Sequence, residues 1–556
     1  MAGKTIIPEE SCSLHFVPKI DRAVDRTIQN GAASQRWRGV AALMTAALVT
    51  VSAVLILVTL PTNTAAESHN PIYIWGDADF VDPIATSGVR SGTGVEGDPY
   101  IISDWEIVVE VDHGVVVRDT DAHFVIRNVT VSQASYHATL NFNGIHLWNA
   151  HNGTVENCTL TGWLKKGVYT TGSNDVLISN NTVSIESGSS NDRFGIEVYS
   201  SPSVNITVDG NNVTTCNYGI TVGWADDVTI KNNNLSSVSD GGILIWNSEE
   251  TTVWNNTMTG CGIDLWVSVL ADSNSHTIPQ NNTVNELPVH YVVDDADVAY
   301  DGDSVGQLIF ANCVGVAVSD MSFSECDVGV QLCYCEDVTV ERITVADTLY
   351  NGVSVSYVDD FAIANSTISG CGRMGLDLLS GIGFTVERCT IESNLNNGVN
   401  IVYSRQVDIT NCSISYNNYA ASCGIDYRVM NTAIDTQSNI MYNEFRENYE
   451  GVSLSGCKGV SIHHNNFIDN VVQAGDTETD LNQWDDGAEG NYWSDYSGVD
   501  TAPADGIGDT AYDIDGNTYD NYPLMEVHVI PEFGHVLIPV IIILVMFGIL
   551  LRKRNE

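Results

Sequence analysis

An all-β solenoid of stacked parallel coils follows from three observations. Gly329, Gly352, Gly375 and Gly398 stand 23 residues apart, and each opens a segment of the same form. Apolar residues recur one and three places after the glycine (Val353 and Val355, Leu376 and Leu378, Val399 and Ile401), which is strand periodicity. A 23-residue unit of short strands cannot bury its own apolar row, whereas stacked copies share one core. Neighbouring coils should then lie about 4.8 Å apart.

The chain divides in order. Residues 1–39 are polar and mixed in charge, a cytoplasmic tail by position. Arg36 and Arg38 precede an apolar run of 21 residues, Val40 to Leu60 (40–60), long enough to span a bilayer. Its basic flank places the N-terminus inside the cell and the body outside, whether the run is an anchor or a signal segment cut near Ala65. A linker and first cap occupy 61–100, and coils open at Gly114, Gly144, Gly167, Gly195, Gly219, Gly242 and Gly262 within 101–270. Residues 271–305 break the pattern, periodicity returns over 306–470, and 471–530 closes the stack. In 531–556 a second apolar run, Val536 to Leu551, precedes Arg552, Lys553 and Arg554.

Formal charge is −47, and between Glu67 and Ile530 only 14 Lys and Arg face 64 Asp and Glu. Such a surface repels nucleic acid and anionic lipid, and it suits high salt, divalent cations or a neutral polymer. Twelve of the thirteen cysteines, Cys158 to Cys457, lie in the body and could pair in an oxidising compartment. Cys389 and Cys412, one repeat apart, align with Ser366 and Ile343, which points instead to a small buried residue. Eleven Asn-x-Ser/Thr sequons, Asn128, Asn157, Asn205 and Asn365 among them, fit a glycosylated exterior. Many fall on the repeat corner, where Asn can instead stack inward as a hydrogen-bonded ladder; Asn152 and Asn281 lie off it.

Two stretches carry a family resemblance. Ser91-Gly-Thr-Gly followed by Pro99-Tyr100-Ile101 resembles the opening of many surface β-helix proteins. Asn491-Tyr-Trp-Ser-Asp-Tyr496, Asp505-Gly-Ile-Gly-Asp-Thr510 and Asp520-Asn-Tyr-Pro-Leu524 resemble the C-terminal signature of NosD-like right-handed β-helix proteins. The resemblance implies a right-handed parallel β-helix of the carbohydrate-binding and sugar-hydrolase type, a fold that hosts lyases, hydrolases, epimerases and adhesins. Pro531-Glu-Phe-Gly534, the second apolar run and the basic cluster together resemble the sorting signals of archaeal surface proteins, processed by an archaeosortase-type transpeptidase. The expected architecture is therefore a right-handed parallel β-helix with a transmembrane segment at each end and its body, about 67–530, outside the cell membrane.

Candidate site residues come from the register. Positions two and four after each glycine should point outward together. Position four holds Trp148, Tyr199, Trp246 and Trp266, with Trp224 one place later, and position two holds His146, Glu197 and Asp264. A row of exposed rings beside acids suits polysaccharide or surface glycans, whose C–H faces stack on aromatic planes. The alternative is that the rings only brace neighbouring coils. Hydrolysis needs two facing carboxylates, but three coil steps put Glu197 and Asp264 on the order of 14 Å apart. Asp226-Asp227 faintly resembles the aspartate pair of polygalacturonases, yet Asp359-Asp360 and Glu336-Asp337 fill the same repeat corner.

The resemblance also implies a Ca²⁺ loop, for which Asp505, Asp509, Asp513 and Asp515 are the candidates, although Thr501 and Pro503 stand where ligands are expected. A polar capping loop is the alternative. NosD is associated with copper delivery; here His463-His464 lies at a corner where adjacent side chains should diverge, no methionine cluster exists, and copper handling is not expected. The sequence thus favours a surface-anchored, non-catalytic glycan binder over a polysaccharide lyase or glycoside hydrolase, or a structural envelope or adhesion protein.

Overall fold

The computed structural model describes residues 66–530, except 111, 136–141, 187–192, 200–202, 418, 420–421, 430–435, 479–480 and 502–503. Both terminal apolar runs and the sorting-signal motif lie outside the described residues. Among the described residues no helix is long and apolar enough to cross a membrane.

The body is a parallel β-solenoid of about 16 turns. In the first run the glycine strands, from Ile72–Ile74 through Gly241–Trp246 to Ile263–Trp266, form one sheet of eight. Residues one and three after the glycine, such as Ile196 and Val198 or Ile243 and Ile245, are buried in a single core. The glycines themselves are set by close approach: a Cβ on Gly167 would come within 2.5 Å of the Gly195 carbonyl oxygen one coil on. Any side chain there would push the coils apart.

A second periodic feature locks the stack. Asn181, Asn211, Asn233, Asn256 and Asn282 lie one above another, each side-chain amide donating to the next Asn Oδ1 at 2.9–3.0 Å. Each Oδ1 also accepts a backbone N–H from the preceding rung, and each amide also donates to a strand carbonyl. The second run repeats the device with Asn394, Asn417, Asn448 and Asn470. The inward residue is not the sequon asparagine. Asn180 and Asn255 sit outside, in left-handed backbone, while the residues after them, Asn181 and Asn256, turn in. All twelve described cysteines are free and buried, several filling equivalent inward corners, as the small-buried-residue reading of Cys389 and Cys412 has it.

The C-terminal signature closes the core. A further asparagine row, Asn443, Asn465 and Asn491, ends on Asn491, and Trp493 stacks on Phe467 with ring centroids 4.3 Å apart. The Trp493 indole and the Asn491 N–H both donate to buried Asp520. An open stack end would expose its apolar cross-section, and these rings cover it.

The irregular segment is an elbow. Thr283–Val284, the last strand of one first-run face, turns through Asn285 and Glu286, both at positive φ, and pairs antiparallel with Leu287–Val293. Two successive left-handed residues make the tight hairpin whose twist matches its strands. Leu287–Val293 then starts the glycine sheet of the second run, earlier than the periodicity alone suggests. Across the elbow, outward residues of one glycine sheet meet the other. Gln331 donates to Asp264 at 2.9 Å, and Asp327 accepts the N–H groups of Gly242 and Gly262 at 2.7 and 2.8 Å. The two glycine faces therefore meet at an inside corner.

Two outcomes are expected. Asn233→Leu should destabilise the protein by about 3 kcal/mol, because it leaves the buried Asn211 backbone N–H and the Val208 carbonyl without their Asn233 partners. The same change at exposed Asn234 should cost within about 0.5 kcal/mol, and chemical denaturation of both variants checks the contrast. Burial also raises Asp327 from 3.8 to about 7. Its proton is held more tightly in the folded state, so its contribution is full below pH 3.8 and is lost as pH rises through about 7. That loss is on the order of 4 kcal/mol. Urea midpoints of Asp327→Asn should accordingly fall less between pH 4 and 7 than those of the unsubstituted chain.

Candidate functional site

Strand register fixes where each predicted side chain stands. At position four the ladder runs Arg118, Trp148, Thr171, Tyr199, Gly223, Trp246, Trp266. Thr171 divides it, so the rings are not one continuous row. Trp148, 46% exposed, takes the Arg118 guanidinium over its face at 4.4 Å; the same guanidinium lies 4.6 Å from the Trp75 ring. That group stands apart from the others.

Tyr199, Trp224, Trp246 and Trp266 do come together. Trp246 is the hub, with ring centroids 6.0 Å from Tyr199, 6.2 Å from Trp224 and 6.5 Å from Trp266. Gly223 permits this, since a Cβ there would lie 2.8 Å from Trp246 Nε1. The rings are tilted or edge-on to one another, so they form the walls of a hollow. A cavity of about 180 Å³ opens among Tyr199, Thr221, Leu244, Trp246 and Trp266. Two of its polar atoms, Trp246 Nε1 and Thr221 Oγ1, are buried and have no hydrogen-bond partner among the described residues. A larger hollow of about 400 Å³ beside Tyr403 and Arg405 gathers no comparable set of rings.

Position two departs from expectation. His146, Glu197, Thr221, Leu244 and Asp264 are all buried, because the larger side chains flanking them wall off the groove floor. Glu197 pairs with Lys166, whose ammonium also lies 3.5 Å from the Tyr169 ring. Asp264 accepts the Trp266 indole N–H at 2.6 Å and the Gln331 amide at 2.9 Å. Burial raises Asp264 to about 6 despite those donors. Glu197 and Asp264 stand three strands apart in one ladder and do not face each other.

The second run supplies residues the sequence reading passed over. Tyr350 lies 5.6 Å from Trp266, and Arg373 covers the Tyr350 ring at 4.4 Å and donates to its hydroxyl. Asp377, raised by burial, adds to the elevation of Asp264, while Arg373 pulls both carboxyls down. These groups thus share one neighbourhood at the elbow. The second-run row at position two, Gln331, Ser354, Asp377, Asn400 and Asp426, is polar throughout. Reading position two in the second run as well as in the first would have exposed it.

The remaining candidates resolve separately. Asp226 accepts the Glu249 N–H and Asp227 has φ 53°, so the pair is a coil corner. Asp505, Asp509, Asp513 and Asp515 each accept turn N–H groups from nearby residues, and no group of three among the described residues is built from them. His463 and His464 converge instead of diverging, their Nδ1 atoms 2.6 Å apart.

Comparison with known proteins follows this geometry. The family described as periplasmic copper-binding protein (NosD) matches residues 62–304, and the right handed beta helix region matches 306–483. No curated protein matches the chain. Among solved structures, the periplasmic alginate epimerase AlgG is 12% identical, with 69% of this chain and 84% of that chain covered and a TM-score of 0.24. The A-module of the Azotobacter vinelandii mannuronan C-5 epimerase AlgE4 is 12% identical over 65% and 86%, with a TM-score of 0.23. The catalytic domain of a GH87 α-1,3-glucanase in complex with tetrasaccharides is 10% identical over 69% and 64%, with a TM-score of 0.21.

Among the described residues of the stretch that matches NosD, no three metal-ligating side chains come together. Among the described residues, the metal-competent group is His463, His464 and Asp486, outside 62–304. Inside that stretch, His113 and His146 rings lie 5.8 Å apart, but His113 Nδ1 already accepts the Asn143 N–H. Burial, and the nearby cations Lys166 and Arg118, hold His146 down at about 3. With its parallel coils and asparagine ladders, the chain is a parallel β-solenoid whose first run is similar to the NosD family and whose second run is similar to the right handed beta helix region.

Proposed function

We propose that the protein binds glycan chains, without cleaving them, in the groove where the two glycine faces meet. One observation carries the reading: a small hollow walled by Tyr199, Trp246 and Trp266 that also holds two buried polar atoms without partners among the described residues. A sugar ring matches both halves, offering C–H faces to the indoles and hydroxyls to Trp246 Nε1 and Thr221 Oγ1. Beyond Trp266, Tyr350 and Arg373 extend the surface along the second run, as a polymer would require. The heavy negative charge disfavours polyanions, so neutral or cationic glycans are the favoured ligands. The apolar terminal runs support display of the body at the cell surface, anchored in the membrane and processed by a sortase-type enzyme.

A catalytic reading draws on Asp264, Asp377 and Arg373, which sense one another's charge. Against it, both oxygens of each carboxylate are occupied. Asp264 is held by Trp266 and Gln331, and Asp377 by Asn351 and Asn400. A general acid or base needs an oxygen directed at substrate. Catalysis would show as new reducing ends or altered sugar stereochemistry after incubation with a retained glycan, abolished by Asp264→Asn.

On a glycan array, Trp246→Ala should weaken binding about 10- to 30-fold, whereas Trp148→Ala should leave it within about twofold. Thr221→Val should weaken it about fivefold without changing thermal stability. Retention of no glycan by the unsubstituted chain would refute the reading, as would equal losses from Trp246→Ala and Trp148→Ala.

A further inference from the structure

At the far end of the stack lies a cluster the groove does not use. Strand Val460–His463 ends at His463, and His464 adopts φ 58°, in the left-handed region. Side chains alternate only while the backbone stays extended, so this corner brings both rings to one side. Their Nδ1 atoms are 2.6 Å apart, and one donor atom from each of His463, His464 and Asp486 lies within 4.8 Å of the other two.

The cluster is built, not incidental. His464 is 8% exposed and its ring stacks on Tyr442 with centroids 5.0 Å apart. Its Nε2 lies 3.0 Å from a Glu489 carboxylate oxygen. An ionised Glu489 keeps the proton on Nε2, so the Nδ1 lone pair faces His463 and Asp486. That carboxylate–imidazole arrangement is the one that orients metal-ligating histidines. Asp486 is set by the Ala488 and Glu489 N–H groups, both donating to its Oδ1 at 2.8 Å. The His528 ring lies 5.3 Å from that of His464, and two hydrogen bonds of 2.8 Å between its backbone and the Asn466 side chain pin its segment there.

We propose that His463, His464 and Asp486 form a binding site for a borderline divalent transition-metal ion such as Zn²⁺. Two imidazoles and a carboxylate suit such ions and not the hard, all-oxygen preference of Ca²⁺ or Mg²⁺. Two nitrogens bound to one such ion at about 2.0 Å lie about 3 Å apart, so the rings need open by only a few tenths of an ångström. The ligands come from two chain segments, the last coils and the capping loop. A bound ion would therefore join the cap to the coil stack, and its chemistry is independent of the glycan groove.

The test uses the full chain, purified in detergent, stripped with a chelator and titrated with Zn²⁺ by calorimetry. One equivalent should bind, with a rise in thermal midpoint, and Co²⁺ substitution should give the intense visible bands of a low-coordinate nitrogen site. His463→Ala with His464→Gln should weaken Zn²⁺ binding at least about 100-fold, and Glu489→Gln, which acts through His464, about tenfold. Without metal, the double variant should unfold within a few degrees of the unsubstituted chain, which separates ligand loss from misfolding. Absence of stoichiometric Zn²⁺ binding, or binding that the double variant leaves unchanged, would overturn the proposal and leave a hydrogen bond between two imidazoles.

Discussion

Every feature of the protein depends on the fixed spacing of parallel coils. Because each residue has an equivalent residue one strand spacing away, a side chain that bonds its own copy can propagate without limit. Asparagine does this with full satisfaction: Oδ1 accepts from the rung before, and Nδ2 reaches both the next Oδ1 and a strand carbonyl. The ladder tolerates no change of spacing, which is why the glycines opposite it must stay bare so that the coils can close. Where the repeat ends, the Asn443 row ends on Asn491 and an indole covers the core.

The groove arises where that constraint is relaxed. The hairpin at Asn285 and Glu286 reverses the chain and lets a second stack start from the edge of the first. Its outward polar residues then meet the outward residues of the last first-run coils. Asp327 and Gln331 satisfy backbone N–H groups that no further coil will pair. The same corner brings Tyr350 to Trp266, so an aromatic surface that each run holds only in part becomes continuous. Burial at such a corner disfavours the charged form of the carboxyl groups, which accounts for the raised Asp264 and Asp327.

Much of the fold was legible because it is periodic. The 23-residue spacing identified the coils, the inward positions and the separation of Glu197 from Asp264. The aromatic candidates were legible in part: Tyr199, Trp224, Trp246 and Trp266 do assemble, whereas Trp148 is set apart by Thr171. Periodicity assigns a side chain to a face but says nothing about its neighbours' bulk. The acids at position two therefore read as exposed and turned out to be buried. Nor could alternation foresee that His464 would leave extended backbone and turn its ring toward His463.

Local pattern by itself determined the coils, their core and their order, because a strand's inward face depends only on the alternation of its own residues. Tertiary structure alone decided which coils meet across the elbow. Gln331 and Asp264 lie 67 residues apart, and no local rule relates them. Their contact depends on how the second run starts from the first, through the antiparallel pairing of Thr283–Val284 with Leu287–Val293.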